Sequence, residues 1–261
     1  MLTFESAQRT SKGARNYQED AAGLRPGPAS TAGQSSGDGL RSLVAVLADG
    51  MGGHTGGALA SRTACDSFLT AYTGSDSEER GQLRPALETS NQAIARKVEV
   101  SPHLSGMGST LVGAAFGPLG LEWVSVGDSP LYLFRRGEIA LLNEDHSLAP
   151  ALDQMAAEGR MSAEEARNDP RRHMLRSALT GEALEMVDVS KKPLSLEPGD
   201  YVVLASDGIH TIDDAEISRV IAAYGEDGPD AVAGALIRAV EQVRDPHQDN
   251  ITVIVVRPRE G

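Results

Sequence analysis

Short apolar segments at close spacing constrain the fold of this chain more than any other feature of its sequence. Glycine- and proline-containing turns separate several of them, as at residues 117–120 and at Arg136-Gly137. Such short connections favour antiparallel strands joined by turns over parallel strands joined by crossover helices. We expect the first strand to follow Glu19 and Asp20. The later predicted strands are residues 43–48, 111–116, 121–126, 130–134, 201–205 and 251–256.

Helical patterns occur in blocks between these strands. They cover residues 55–72, 84–98, 214–224 and 229–243. Strands in groups and helices in groups predict an α+β fold, with helices packed outside a sandwich of sheets.

Two longer stretches interrupt this alternation. Residues 23–39 are rich in Gly, Pro and Ser and predict a mobile loop between two strands. Residues 143–180 contain a capping box, in which Ser162 and Glu165 would satisfy free backbone amides at a helix start. We therefore expect a small helical subdomain there.

The charge balance excludes several classes of protein. The chain has 37 acidic and 24 basic residues and a formal net charge of −13, which disfavours nucleic acid and anionic membranes as partners. Its single cysteine, Cys65, excludes an internal disulfide and a cysteine-rich metal site. Residues 1–12 lack the apolar core of a signal peptide, and no apolar run approaches the roughly 20 residues of a membrane span. We expect a cytoplasmic protein.

Aspartates stand at the ends of the predicted strands. Asp49, Asp128 and Asp207 follow strands, whereas Asp20 and Asp249 precede them. One Asp-Gly pair at a strand end indicates a turn, but five placements predict carboxylates that converge if neighbouring strands have matched ends. Such carboxylates repel one another unless a cation binds.

Oxygen ligands of this kind suit Mg²⁺, Mn²⁺ or Ca²⁺ rather than structural zinc. The glycine-rich turn at residues 50–53 would let backbone carbonyls approach such an ion. The same turn, placed before a helix, could instead hold an anion at the helix N-terminus.

The chain resembles the metal-dependent serine/threonine protein phosphatases of the 2C type (the PPM family), and their bacterial branch most closely. The segments that carry the resemblance are residues 15–20 (RNYQED), 48–54 (ADGMGGH), 108–110 (GST), 127–129 (GDS), 205–208 (ASDG) and 249–250 (DN). They occur in the family's order and span residues 10–256. The resemblance implies one PP2C-type domain over residues 1–261, with two stacked antiparallel sheets flanked by helices and a flap subdomain at about 143–180.

The resemblance also implies a role for each matched residue. Two Mn²⁺ or Mg²⁺ ions would be bridged by Asp49, and a weaker third ion would lie at Asp128 and Asp207. Arg15 would bind the substrate phosphate, for which its planar fork of donors is suited. The remaining expected ligands are Asp207 and Asp249 for the first ion, the Gly50 carbonyl for the second, and Asp20 and Glu19 near the second.

The implied reaction is hydrolysis of phosphoserine and phosphothreonine by direct attack of a metal-bridging hydroxide, without a phosphoenzyme. The eukaryotic branch has a histidine after the Asp-Gly pair as its proposed proton donor; here that position is Met51, and His54 is a possible substitute. The expected enzyme is a monomeric signalling hydrolase that opposes a bacterial serine/threonine kinase. Two alternatives are a degenerate relative that binds phosphoproteins without hydrolysing them, and a regulatory switch that dephosphorylates one small partner.

The predicted flap is locally basic in an acidic chain. One interpretation is a solvated face whose arginines pair with neighbouring acids. The other is a docking surface for a phosphorylated or acidic protein segment. The arginines concerned are Arg160, Arg167, Arg171, Arg172 and Arg176.

Overall fold

The computed structural model describes residues 1–27, 40–53, 55–74 and 82–261. Within these ranges the chain forms two five-stranded antiparallel sheets and a two-stranded pair, numbered β1 to β12 along the sequence. The first sheet has the order β1 (Leu2–Ser11), β12 (Ile251–Glu260), β11 (Tyr201–Ala205), β8 (Leu131–Arg135) and β9 (Glu138–Leu141). The second has the order β10 (Asp188–Val189), β7 (Gly120–Val126), β6 (Leu111–Gly117), β3 (Leu43–Ala48) and β2 (Ala21–Pro26). The short pair is β4 (Gly50–Met51) and β5 (Gly108–Ser109).

Six α-helices occur in the described ranges. Two of them, α1 (Thr55–Thr73) and α2 (Leu83–Val100), pack on the second sheet, and α5 (Asp214–Tyr224) and α6 (Pro229–Val243) pack on the first. The other two, α3 (Ala149–Ala157) and α4 (Ala163–Asn168), lie in the stretch between β9 and β10.

Three apolar clusters hold these layers together. One lies between the sheets and includes Leu47, Leu131 and Leu204, each with no exposed surface. The other two fill the spaces between each sheet and its helices. Because strands such as β3 are buried on both faces, they carry the continuous apolar runs that the sequence displays.

The predicted α+β sandwich flanked by helices is confirmed. The helices expected at residues 214–224 and 229–243 have those bounds, and the capping box of Ser162 and Glu165 begins α4 as expected. The helix expected at 55–72 ends one residue later, at Thr73. The helix expected at 84–98 begins one residue earlier, at Leu83, and ends two residues later, at Val100.

Two expectations about the N-terminal region were wrong. The first strand is not β2 but β1, which pairs along its whole length with β12. Its sequence gives little strand signal, because β1 is an edge strand with mostly polar side chains and Phe4 is its one buried residue. The predicted loop at residues 23–39 begins too early, because β2 extends through Pro26; residues 28–39 lie outside the described part.

The register of the strands brings their functional ends together. Ala21 lies opposite Ala48, Leu111 opposite Val126, and Ala205 opposite Val253. The carboxyl ends of β3, β7 and β11 and the amino ends of β2 and β12 therefore lie at one end of the sandwich. This is the end at which the five aspartates were expected to converge.

Candidate active site

Five aspartates meet at this end of the sandwich. The charges of Asp20, Asp207, Asp128 and Asp249 all act on Asp49. The side chain of Asp49 in turn acts on Asp207. The convergence that the strand ends predicted is confirmed, with Asp49 at its centre.

The backbone of Asp49 is fixed by residues 109 and 110. Its carbonyl oxygen accepts hydrogen bonds from the Thr110 amide at 2.9 Å and from the Ser109 hydroxyl at 2.8 Å. Its amide donates to the Thr110 hydroxyl at 3.0 Å, and that hydroxyl also contacts the Ser129 hydroxyl at 2.8 Å. Because the main chain is held on both sides, the carboxylate itself is left available for a ligand.

The turn after Asp49 requires glycine for close packing. A Cβ atom at Gly57 would collide with Glu19 Oε1 and with the carbonyl oxygen of Gly50. A Cβ atom at Gly50 would collide with the backbone of Gly57. The two glycines therefore leave room for a carboxylate oxygen and a carbonyl oxygen to lie near each other, which is the oxygen pair that the second predicted ion needs.

Burial and mutual repulsion disfavour the charged forms of these acids. Burial raises the pKa of Asp49 well above its usual value, and the neighbouring aspartates raise it further. The pKa of Asp20 is raised to about 7, chiefly by burial, although hydrogen bonds from Thr252 and Ser206 oppose the shift. The pKa of Asp128 is likewise raised to about 7 by burial and by the charges of Asp207 and Asp145. Burial and the nearby Asp249 also raise the pKa of Asp207.

Several carboxylate oxygens in this cluster are buried without a partner. Glu19 Oε1, Asp20 Oδ1 and Asp207 Oδ1 make no hydrogen bond with the protein. Buried polar atoms are ordinarily satisfied, and unsatisfied ones in a like-charged group indicate that a cation supplies the missing interaction. In the described ranges, no group of three or more His, Cys, Asp or Glu side chains is arranged so that it could hold a metal ion by itself. The fit of the site to divalent cations therefore rests on its hard oxygen donors, on these three oxygens and on the space beside Gly57.

Arg15 lies against the cluster through Asp249. Its guanidinium forms an ion pair with Asp249 Oδ2 at 2.5 Å, and the other oxygen of Asp249 accepts from the Asn250 amide. The Asn250 side chain accepts a hydrogen bond from the Glu19 amide at 2.7 Å and donates to the carbonyl oxygens of Lys12 and Tyr17. Asn250 thus holds the segment that carries Arg15 and Glu19 against the start of β12.

The carboxylates line a cleft of about 640 Å³. Its opposite wall is the segment between α4 and β10, which contributes residues 173–178 together with Thr180, Ala183 and Glu185. Residues 173–180 of this segment belong to the stretch predicted as a flap, whereas Ala183 and Glu185 lie beyond it; the helices α3 and α4 show that the predicted stretch is helical in part.

His146 connects the flap to the Asp128 turn, and sequence reasoning missed it. Its ring Nδ1 accepts a hydrogen bond from the Gly127 amide at 3.3 Å, and its own amide donates to the Gly127 carbonyl at 3.1 Å. Its carbonyl oxygen accepts from the Arg176 amide at 2.8 Å, and Leu148 donates to the Met174 carbonyl at 3.0 Å. One end of the flap wall is therefore held by residues 146–148, which are tied to the Asp128 turn, and its other end is held by the pairing of Leu179 with Ser109.

The structure brings most of the sequence-predicted site residues to this cleft. Asp20 lies in the carboxylate cluster behind it, and His54 lies outside the described residues. The structure adds four residues to those that the sequence predicted for the site: Asp145, Thr110, Asn250 and His146. Of these, only Thr110 and Asn250 lie in the segments that carry the family resemblance. The predicted residues that line the cleft are Arg15, Glu19, Asp49, Gly50, Asp128, Asp207 and Asp249.

The flap arginines divide into two groups. Arg172 makes paired hydrogen bonds of 2.8 Å to Asp153, and Arg171 makes bonds of 3.0 and 2.8 Å to Asp169. Arg160 lies 3.5 Å from Glu158. Arg167 and Arg176 form no ion pair with any described residue, and of these two only Arg176 lines the cleft.

This chain belongs to the protein phosphatase 2C family, whose family model matches residues 31–227. The serine/threonine protein phosphatase PstP of Mycobacterium tuberculosis is 35% identical over 217 residues, which are 80% of this chain but only 39% of PstP. The serine/threonine phosphatase stp of Listeria monocytogenes is 32% identical over 184 residues, or 68% of this chain and 71% of the relative.

Solved structures agree with this assignment. A crystal structure of the M. tuberculosis phosphatase PstP/Ppp superposes with a TM-score of 0.77 at 30% identity and covers 98% of both chains. The catalytic domain of PstP in complex with two manganese ions also has a TM-score of 0.77, at 29% identity and full coverage of both chains. In the described part of this chain, no helix is long and apolar enough to cross a membrane.

Proposed function

We propose that this chain is a metal-dependent protein serine/threonine phosphatase. The observation that carries the proposal is the set of three buried, unpartnered carboxylate oxygens in a cluster of acids from separate strand ends. A chain gains nothing in stability from such an arrangement unless cations bind it. The family and the relatives named above support a phosphate ester as the substrate.

We assign two divalent ions, Mn²⁺ or Mg²⁺, to the cluster. Asp49 would contribute to both ions, because it lies at the centre of the cluster and every other aspartate of the cluster acts on it. Asp207 and Asp249 would help to hold one ion, and the Gly50 carbonyl, Glu19 and Asp20 would help to hold the other. A weaker third ion would be held by Asp128 and Asp207, each of whose pKa values is raised by burial and nearby acids. When bound, the ions supply an activated water and positive charge beside the phosphate.

Arg15 is proposed to orient the phosphate. Its guanidinium is half-exposed and already binds a carboxylate oxygen of Asp249 at the rim of the cluster. A phosphate oxygen can replace that carboxylate, because both accept from the planar fork of donors. The leaving alkoxide needs a proton; among the described residues His173 is the histidine that lines the cleft, and His54 remains the candidate from sequence.

The partners follow from the reaction proposed. Phosphorylated proteins would enter the cleft between the carboxylates and the flap, and a serine/threonine kinase of the same cytoplasmic compartment would generate them. We propose that the enzyme acts as a monomer. A non-catalytic phosphoprotein binder would not need the full carboxylate set, which is complete here.

Metal removal and restoration test the proposal. Purified protein would be assayed on a phosphothreonine peptide and on an aryl phosphate, first after dialysis against EDTA and then with Mn²⁺ or Mg²⁺ restored. We expect loss of turnover on chelation and recovery with either ion, and calorimetry should detect ions binding to the dialysed protein. Turnover that survives exhaustive chelation would refute the metal-dependent reaction. Restored binding of the ions without any turnover would favour the phosphoprotein-binding alternative.

A further inference from the structure

Arg176 differs from the other arginines of the flap. Arg160, Arg171 and Arg172 each pair with an acid of the flap itself. Arg176 is exposed, lines the cleft and forms no hydrogen bond or ion pair through its side chain with any described residue. Its position is nevertheless defined, because its amide donates to the His146 carbonyl at 2.8 Å.

The charge of Arg176 lies on the flap side of the cleft. It acts on His146, which stands between the flap and the Asp128 turn. Arg15 and Arg176 line the same cleft, but Arg15 is the one paired with an acid of the carboxylate cluster, Asp249. A phosphate at the cluster would therefore meet Arg15, while Arg176 would face a neighbouring part of the same substrate.

We infer that Arg176 binds an acidic side chain next to the phosphorylated residue, so that the enzyme favours phosphopeptides with flanking glutamate or aspartate. This inference rests on the proposed phosphatase function and specifies its substrate class. The chain has a net charge of −13, so an acidic peptide is repelled by most of the protein surface. An unpaired guanidinium at the cleft offers such a peptide a charge-assisted hydrogen bond that a neutral peptide cannot make.

The test compares two peptides and two variants. Both peptides carry a non-hydrolysable phosphonate analogue of phosphothreonine, flanked by two glutamates in one and by two glutamines in the other. Their dissociation constants for the Mn²⁺-loaded protein are measured by fluorescence anisotropy. Arg176→Gln removes the proposed contact, and Arg167→Gln is the matched control, since Arg167 is also exposed, unpaired and in the flap but lies outside the cleft lining.

We expect wild-type protein to bind the acidic peptide about three- to tenfold more tightly than the neutral one, as one exposed charge-assisted contact allows. Arg176→Gln should abolish this preference, and Arg167→Gln should retain it. The preference should also shrink in 0.5 M NaCl, because exposed charges are screened.

Three results would overturn the inference: no preference in the wild type, an equal loss of preference in both variants, or equal weakening of both peptides by Arg176→Gln. The last result would assign Arg176 to the phosphate itself or to flap packing. Hydrolysis of the corresponding phosphothreonine peptides is measured in parallel with Mn²⁺. Absence of hydrolysis by the wild type would refute the proposed function, whereas the ratio of dissociation constants judges Arg176 independently.

Discussion

The carboxylate cluster and the flap line the same cleft, yet their charged side chains are arranged in opposite ways. In the cluster, like charges are buried together and three oxygens have no partner. In the flap, acids and bases are mostly exposed and pair with each other, as Arg172 does with Asp153. The flap satisfies most of its charges internally, whereas the cluster needs a ligand from outside the chain.

The two regions are also held differently. Asp49 is fixed by three hydrogen bonds to residues 109 and 110, which are themselves on or beside buried strands. The flap wall is attached at its two ends, by main-chain bonds to residues 146–148 and by the pairing of Leu179 with Ser109. The cluster therefore combines a rigid frame with like charges, whereas the flap combines mostly paired charges with a wall that is anchored at its two ends.

Asp49→Asn should produce the largest change. Removing the central charge should lower turnover on the order of 10³-fold or more, equivalent to about 4 kcal/mol of transition-state stabilisation. It should weaken metal binding measured by calorimetry. In EDTA, however, the variant should unfold at a higher temperature than the wild type, because one buried charge among five acids is removed.

The control for this prediction is Asp66→Asn, which removes an exposed aspartate on α1 and should change neither turnover nor metal binding appreciably. If Asp49→Asn kept near-normal turnover, the bridging role would be wrong. A metal-free Asp49→Asn protein less stable than the wild type would show that the cluster is not under electrostatic strain.

The metal-free protein should lose stability as pH rises from about 4 to about 7. The folded-state pKa values of Asp20 and Asp128 are raised to about 7, while unfolded aspartates titrate near 3.8. Between these values the folded state binds more protons than the unfolded state, so the free energy of unfolding falls with increasing pH. We expect the melting midpoint in EDTA to drop by about 5 °C or more over this range.

Saturating Mn²⁺ should reverse this trend, because the bound ions favour the ionised carboxylates. The same melting series with Mn²⁺ provides the comparison. A flat or rising midpoint between pH 4 and pH 7 in EDTA would mean that these acids are not raised in the metal-free fold.

The sequence predicted the cluster well because its signal is local. An apolar run followed by Asp-Gly defines both a buried strand and the residue at its end, and antiparallel register then brings such ends together. The sequence could not predict Asn250 or His146 in their roles, because these depend on contacts between distant segments; Asn250 and Glu19 are separated by 231 positions. The strand β1 was missed for a related reason: its stability comes from pairing with β12, and its side chains show little apolar pattern.

The pairing of the flap arginines was left open by the sequence for the same physical reason. Composition shows that acids and bases are both present, but whether an arginine meets an acid depends on how α3 and α4 pack. Arg172 and Asp153 lie 19 positions apart and meet only in the folded flap. The structure favours the solvated, paired interpretation for three of the five arginines and leaves Arg176 facing the cleft.

Arg172→Gln should produce the smallest effect of the series. Its ion pair with Asp153 is largely exposed on the aspartate side, and exposed pairs contribute about 0.2–1 kcal/mol to stability. Urea unfolding of Arg172→Gln, Asp153→Asn and the double variant would measure the coupling between the two side chains. A coupling of about 1 kcal/mol or less, with turnover of an aryl phosphate within twofold of wild type, would agree with a flap whose exposed ion pairs each contribute little to stability. A coupling several times larger would mean that the flap depends on this ion pair for its position. The flap and the carboxylate cluster would then both depend strongly on their charges, and they would differ only in that the flap pairs opposite charges whereas the cluster gathers like ones.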